Sequence, residues 1–258
     1  MRLRAAIAPA VVALAAGGAF LATGGTDECR AQGAGTADVE ARLGCDGAPS
    51  ATACAANAGF TRAAAVPAGR RVRLRFTRRV KRGVTVDVFQ SSTGRRILGN
   101  RRIAHFTKHK RSFAWSGKRA RDGYLFVRFR VRAGGGTDVR RTVLHRRGGR
   151  FKRRPAFYRR ASCATLKQFK LERPVFGGSR NRALGIAYRV ATRSRVTVVV
   201  RRGKKVVRRF RTRTERPGET VRLRLASEKL RRGRHRVQIT VRPDRGVTTR
   251  ASLYAQRL

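Results

Sequence analysis

Arginine is the residue whose spacing first asks for a chemical reading. Arg71, Arg73 and Arg75 recur at every second position, as do Arg128, Arg130 and Arg132, then Arg222 and Arg224, then Arg234 and Arg236. On an extended strand alternate residues share a face about 6.6 Å apart, so each set predicts a ladder of forked donors. Such ladders can neutralise repeating phosphates, sulfates or carboxylates and release their counterions, giving affinity without sequence readout. Arg201, Arg202, Lys204, Lys205, Arg208 and Arg209 add denser clusters of the same chemistry. The competing reading is a solvated strand face that a GC-rich coding composition writes in arginine. That composition accounts for abundant Arg, Ala and Gly but not for the shortage of acids.

Other chemistry finds little support. His105 and His109 are four apart and would share a strand face, but Lys108, Lys110 and Arg111 crowd the same place and repel a cation. His145 and His235 stand among arginines. A hydrolase needs a nucleophile, a base and an orienting acid, or a carboxylate pair. Beyond residue 69 the acids are Asp87, Asp122, Asp138, Glu172, Glu215, Glu219, Glu228 and Asp244, most of them beside arginine or at turns. Ser162 next to Cys163 forms no nucleophile elbow, and Gly134–Gly136 does not lead into a helix-forming segment as a phosphate loop would. No catalytic residue, cofactor or metal ligand is expected.

The elements that position the arginines are strands. Val72, Leu74 and Phe76 alternate with the first ladder, and Val127, Phe129 and Val131 with the second. Val84, Val86 and Val88 predict another strand, Ser91–Gly94 a turn, and Val139–Leu144 a further strand. The pattern then returns. Leu74, Phe76 and Val84–Val88 match Ile186, Tyr188 and Val196–Val200, while Val127, Phe129 and Val131 match Val237, Ile239 and Val241. Offsets of about 110 residues predict one antiparallel sandwich duplicated, since a solenoid repeat is far shorter.

The 258 residues carry a formal net charge of +51. Residues 1–69 hold five basic and five acidic residues, so the whole charge belongs to the β-rich remainder. Such a field favours polyanionic partners. Residues 1–24 read as an export signal: Arg2 and Arg4, then the apolar run Ala5–Ala22, then small residues suited to cleavage. The run is rich in Ala and Gly and contains Pro9, so no stable transmembrane span is expected. An exported chain with Cys29, Cys45, Cys54 and Cys163 predicts two disulfides, for which three pairings exist. Cys54 with Cys163 would tie the two ends of the first β-region, leaving Cys29 with Cys45 to close the preceding segment.

One stretch carries a family resemblance. Phe113-Ala114-Trp115-Ser116-Gly117, followed by Asp122-Gly123-Tyr124 opening a strand, resembles the immunoglobulin-like domain of the flagellar hook-capping protein and its secreted relatives. In those relatives one residue separates Gly from Tyr, whereas here Tyr124 follows directly. The second copy keeps only Gly233 of this fingerprint. The resemblance implies a sandwich used as a spacer, adhesion or wall-associated module, with no catalytic residues to carry over.

The expected fold is therefore all-β, two tandem Ig-like or fibronectin-III-like antiparallel β-sandwiches after a signal peptide and a disulfide-stapled leader. The divisions fall at 25–69 for the neutral leader, 70–146 for the first sandwich, 147–180 for an aromatic and basic connector, and 181–258 for the second. The expected function is a secreted, non-enzymatic envelope or extracellular protein that associates electrostatically with teichoic-acid-like polymers, acidic polysaccharide or extracellular DNA, and with other envelope proteins. The alternatives are a structural spacer without a specific ligand and a nucleic-acid-binding protein.

Overall fold

A computed structural model of the chain describes residues 58–134 and 136–258. Their regular structure is β throughout, apart from one 3-10 turn at Gly178–Arg180. The expected export signal and Cys29, Cys45 and Cys54 lie outside the described residues, so neither that expectation nor the cysteine pairing is tested by them.

Eight strands build the first half: β1 (Phe60–Ala68), β2 (Arg71–Arg78), β3 (Val84–Thr93), β4 (Arg96–His109), β5 (Phe113–Trp115), β6 (Gly123–Ala133), β7 (Gly136–Arg147) and β8 (Arg150–Arg154). They form one sheet in the order β1-β2-β5 and another in the order β4-β3-β6-β7-β8. Strand β2 shows why these segments are strands. Val72, Leu74 and Phe76 are buried while Arg71, Arg73 and Arg75 are exposed, so period-two patterning leaves one face for each environment. The core between the sheets collects Phe60, Leu74, Val86, Val88, Trp115, Val127, Phe129 and Leu144.

The second half holds β9 (Tyr158–Arg159), β10 (Leu166–Leu171), β11 (Val175–Phe176), β12 (Leu184–Val190), β13 (Ser194–Arg202), β14 (Lys205–Arg209), β15 (Arg213–Glu215), β16 (Val221–Leu225), β17 (Gly233–Pro243) and β18 (Thr249–Arg257). One sheet runs β16-β12-β10-β9, the other β11-β18-β17-β13-β14, with β15 also on β13. The internal repeat extends to register. Val86 faces Phe129 and Val88 faces Val127 across β3 and β6. At the offsets seen in the sequence, Val198 faces Ile239 and Val200 faces Val237 across β13 and β17. Trp115 lies opposite Val72, and Leu225 lies opposite Leu184, so leucine stands where the first half has tryptophan.

Three expectations need correction. Residues 60–68, read as leader, form β1 and pair with β2 along its length. The strand escapes notice because its inward side uses small residues such as Ala65, fully buried opposite Leu74. The turn expected at Ser91–Gly94 begins later, because β3 continues to Thr93 with Ser91 and Ser92 buried. Hydrogen bonds make that burial tolerable: the Tyr124 N–H donates to Ser92 Oγ at 3.1 Å. Finally, the 147–180 segment packs against both halves, as its aromatics suggest, but it is not a separate connector, because its strands belong to their sheets. It adds β8 to the first half and β9, β10 and β11 to the second, with Phe157, Phe169 and Phe176 fully buried.

That last point joins the halves. Ile97, Tyr124, Phe126 and Val143, on the outer face of the five-stranded sheet, belong to the same apolar cluster as Phe157, Phe169 and Leu253. Phe126 stacks on Phe89 at 4.8 Å and meets Phe157 at 5.2 Å. This face is thus apolar at one end and charged at the other, an arrangement that decides where arginine can stand free.

Candidate polyanion interface

The acids come first, because they determine which arginines are already taken. Asp87 is fully buried on β3. Its carboxylate accepts from Arg128 at 3.0 Å, Arg130 at 3.2 Å and His105 Nδ1 at 2.7 Å, with Arg102 at 3.7 Å. Burial alone would raise its pKa, but the His105 hydrogen bond and the Arg128 and Arg130 charges outweigh burial and hold it below the usual carboxylate value. Asp138, equally buried, accepts from the Phe60 N–H at 3.0 Å, Arg140 at 3.0 Å and Arg160 at 3.3 Å. Exposed Asp122 accepts from the Gly148 and Gly149 N–H groups and pairs with Arg146 at 3.4 Å. The Gly148 hydrogen bond is the main cause holding its carboxyl below the ordinary value, against a small opposing effect of burial.

Arg128 and Arg130, two rungs of a predicted ladder, are therefore internal counter-ions, and Arg128 also lies over Phe89 at 4.8 Å. The reason is register. Asp87 faces Arg128 directly across β3 and β6, and Thr85 faces Arg130, so both arginines reach the one carboxylate. Arg132 remains exposed. Arg201 is partly committed, donating to Gln238 Oε1 at 3.0 Å and to the Lys204 carbonyl at 3.2 Å. Arg202 donates to the Arg232 carbonyl at 3.0 Å.

The other candidates occupy separate surfaces. Arg71, Arg73 and Arg75 line the outer face of β2, opposite Ala68, Val66 and Ala64. Arg222 and Arg224 line the outer face of β16. Lys204, Lys205, Arg208 and Arg209 are exposed at the β13–β14 hairpin. Arg236 is half-buried, whereas Arg234 opens onto a cleft of about 230 Å³ shared with Arg154, Tyr124 and Tyr254.

A concentration of charge that alternation does not reveal lies elsewhere. Arg96, Arg101, Arg102, Arg119 and Arg121 converge on a cleft of about 530 Å³ between β4 and the segment preceding β6. Among the described residues no acid lines it, and of the five only Arg102 stands near a carboxylate, that of Asp87. Two local devices aim these side chains. The Gln90 side chain, held inside, donates to the Arg121 carbonyl at 3.1 Å and accepts from the Arg121 N–H at 3.1 Å. Arg119 sits at φ 65°, a left-handed conformation costing a side-chain-bearing residue about 1–2 kcal/mol. The detectable trace in the sequence is the set of basic doublets Arg95-Arg96, Arg101-Arg102 and Lys118-Arg119, unaccompanied by acids.

The histidines have structural surroundings. His109 stacks on Phe113 at 3.9 Å, and His235 is fully buried with Nδ1 3.1 Å from the Gly233 carbonyl. No group of three or more His, Cys, Asp or Glu suited to a metal occurs among the described residues. Cys163 is half-buried just before β10. No described helix is long and apolar enough to cross a membrane. Neither protein-family models nor curated proteins yield a match to the chain.

Proposed function

We propose that this is an exported, non-enzymatic protein whose two Ig-like sandwiches associate with anionic polymers by charge. The five-arginine cleft carries the reading. Four of the five guanidinium groups lack a carboxylate partner among the described residues, and the five, gathered over a 530 Å³ depression, repel one another until an anion enters. Arginine suits that task, since its fork is always charged and pairs with phosphate, sulfate or carboxylate in two parallel hydrogen bonds. The exposed stripes on β2 and β16 extend the positive field, and the clefts that Arg224 borders also hold Glu228.

Salt-titrated binding to heparin and to polyphosphate tests this. If six to ten anionic groups are engaged, affinity falls by about 10³–10⁵-fold between 50 and 200 mM salt. Replacing Arg96, Arg101, Arg119 and Arg121 together by Gln removes most of the affinity and lowers the logarithmic salt slope by about one per cation. Unchanged affinity and slope in that variant would overturn the proposal.

A further inference from the structure

A second group of cations lies on the outer face of the β16-β12-β10-β9 sheet. Its register sets Tyr158, Lys170, Ala187 and Arg222 in one row across four strands. Arg189 is the next residue on that face of β12, paired with Gln168. From β7, Arg141 reaches over the row, its guanidinium 4.7 Å from the Tyr158 ring and within 6 Å of the Phe126 and Phe157 rings, the distances being 5.8 and 5.7 Å. Ala187, with no side chain beyond Cβ, leaves the centre of the row open between two long cations.

Among the described residues no carboxylate pairs with this group. The Nε–H donors of Arg141 and Arg189 are fully covered yet have no acceptor. The Nε of Arg130, Arg146 and Arg160 is covered in the same way, but each of those residues pairs with a carboxylate through a terminal nitrogen, as Arg141 and Arg189 do not among the described residues. A covered donor without a partner loses its hydration and regains nothing. Burial pushes the Lys170 ammonium below its ordinary pKa, and Arg141, Arg222 and Arg189 push it further. Burial likewise depresses Arg141, opposed by Tyr158 and assisted by Arg128. Arg128 has Asp87 as counter-ion; the cations around Ala187 have none among the described residues.

The geometry points to a binding site for a single tetrahedral oxyanion, a phosphate or sulfate group, seated over Ala187 and held by Lys170, Arg189, Arg222 and Arg141. Neighbouring strands are about 4.8 Å apart, which sets Lys170 and Arg222 about 10 Å apart across Ala187. That span suits one compact anion contacted from both sides. Arg189 and Arg141 supply forked donors from two further directions, so an ion with acceptors all round fits better than a planar carboxylate. The row lies on the second half's sheet and shares no residue with the five-arginine cleft.

The test uses the full chain at fixed ionic strength. Inorganic phosphate, glycerol phosphate, sulfate and acetate are titrated in turn, with binding read from the thermal midpoint and from phosphorus NMR line widths. Phosphate should raise the midpoint at concentrations where acetate does not. Lys170→Met and Arg222→Gln, which keep their aliphatic stems, should each weaken phosphate about tenfold, while the exposed control Arg132→Gln should not. Preference for glycerol phosphate assigns the site to an esterified group, preference for the inorganic ion assigns it to the free anion, and equal binding shows a site that takes either. Stabilisation by acetate equal to that by phosphate, or phosphate binding that both row variants retain, overturns the inference. Heparin affinity is measured in parallel: loss of phosphate binding with heparin retained separates this site from the cleft.

Discussion

Replacing Asp87 by Asn tests how the fold tolerates its own charge. The substitution keeps the shape of the side chain but removes the counter-ion shared by Arg128, Arg130 and His105, with Arg102 close by. Removing one partner of a buried ion cluster costs about 3–5 kcal/mol, because the remaining charges stay buried without compensation. Against a typical total of about 5–15 kcal/mol that is a large share. At about 2–4 °C per kcal/mol for a chain of this size, the midpoint should fall by roughly 10 °C. Added salt should recover part of the loss, since screening shortens to about 3 Å at 1 M. Asp244→Asn is the control: its pair with Arg193, at 3.6 Å, is exposed and should be worth less than about 1 kcal/mol. Acid should mimic the substitution. The folded pKa of Asp87 lies below the unfolded value of about 3.9, so its contribution is complete above that pH and disappears as pH falls through the folded value. A loss under about 1 kcal/mol in Asp87→Asn, with no response to salt, would refute the reasoning.

Three further outcomes are expected. Gly123, at φ 138°, has no room for a side chain because a Cβ would overlap the Ser92 carbonyl; Gly123→Ala should cost about 2–4 kcal/mol in urea unfolding, against about 1 kcal/mol for Gly94→Ala at an open turn. Trp115→Ala should lose about 3–5 kcal/mol, and Trp115→Leu clearly less, since Leu225 fills the matching place of the second half. Burial lowers the pKa of His235; the Gly233 carbonyl opposes this, and Arg202 and Arg257 add to it. The unfolded chain therefore takes up that proton first as pH falls below about 6.5, and stability declines from there toward the lower folded value. His235→Phe should flatten that part of the stability-versus-pH curve, and an unchanged slope in the variant would remove His235 from the account.

The strands legible in the sequence are those that turn an alternating aliphatic side to a core, even where, as in β3 and β6, much of the other face is buried as well. In β2, β3, β6, β12, β13 and β17 buried aliphatics alternate along the strand, and the offset between copies carries over into their pairing. Strand β1 hides because, after Phe60, its buried positions are the adjacent alanines Ala64 and Ala65, which give no alternation, and the 147–180 segment hides because its aromatics are spaced by loops. The site was harder to read. Alternation says which way a side chain points but not what stands across the sheet, so it cannot tell Arg128, committed to Asp87, from exposed Arg132. Nor could it find the cleft. Pairing of β3 with β4 shifts register at three places, and Arg119 and Arg121 arrive from a separate segment, so no periodic signal links them to Arg96 and Arg101.

The ladders written into paired strands have a consequence for proteolysis. Trypsin cuts after Arg and Lys, so this chain is crowded with its sites, yet a strand must leave its sheet before the enzyme can accept it. Arg82, Lys229 and Arg245 are among the described basic residues that lie in bends or turns outside the strands, where cutting needs no strand to leave its sheet. Brief digestion followed by mass spectrometry would thus chart fraying residue by residue, in a protein that supplies its own reporters along almost every edge.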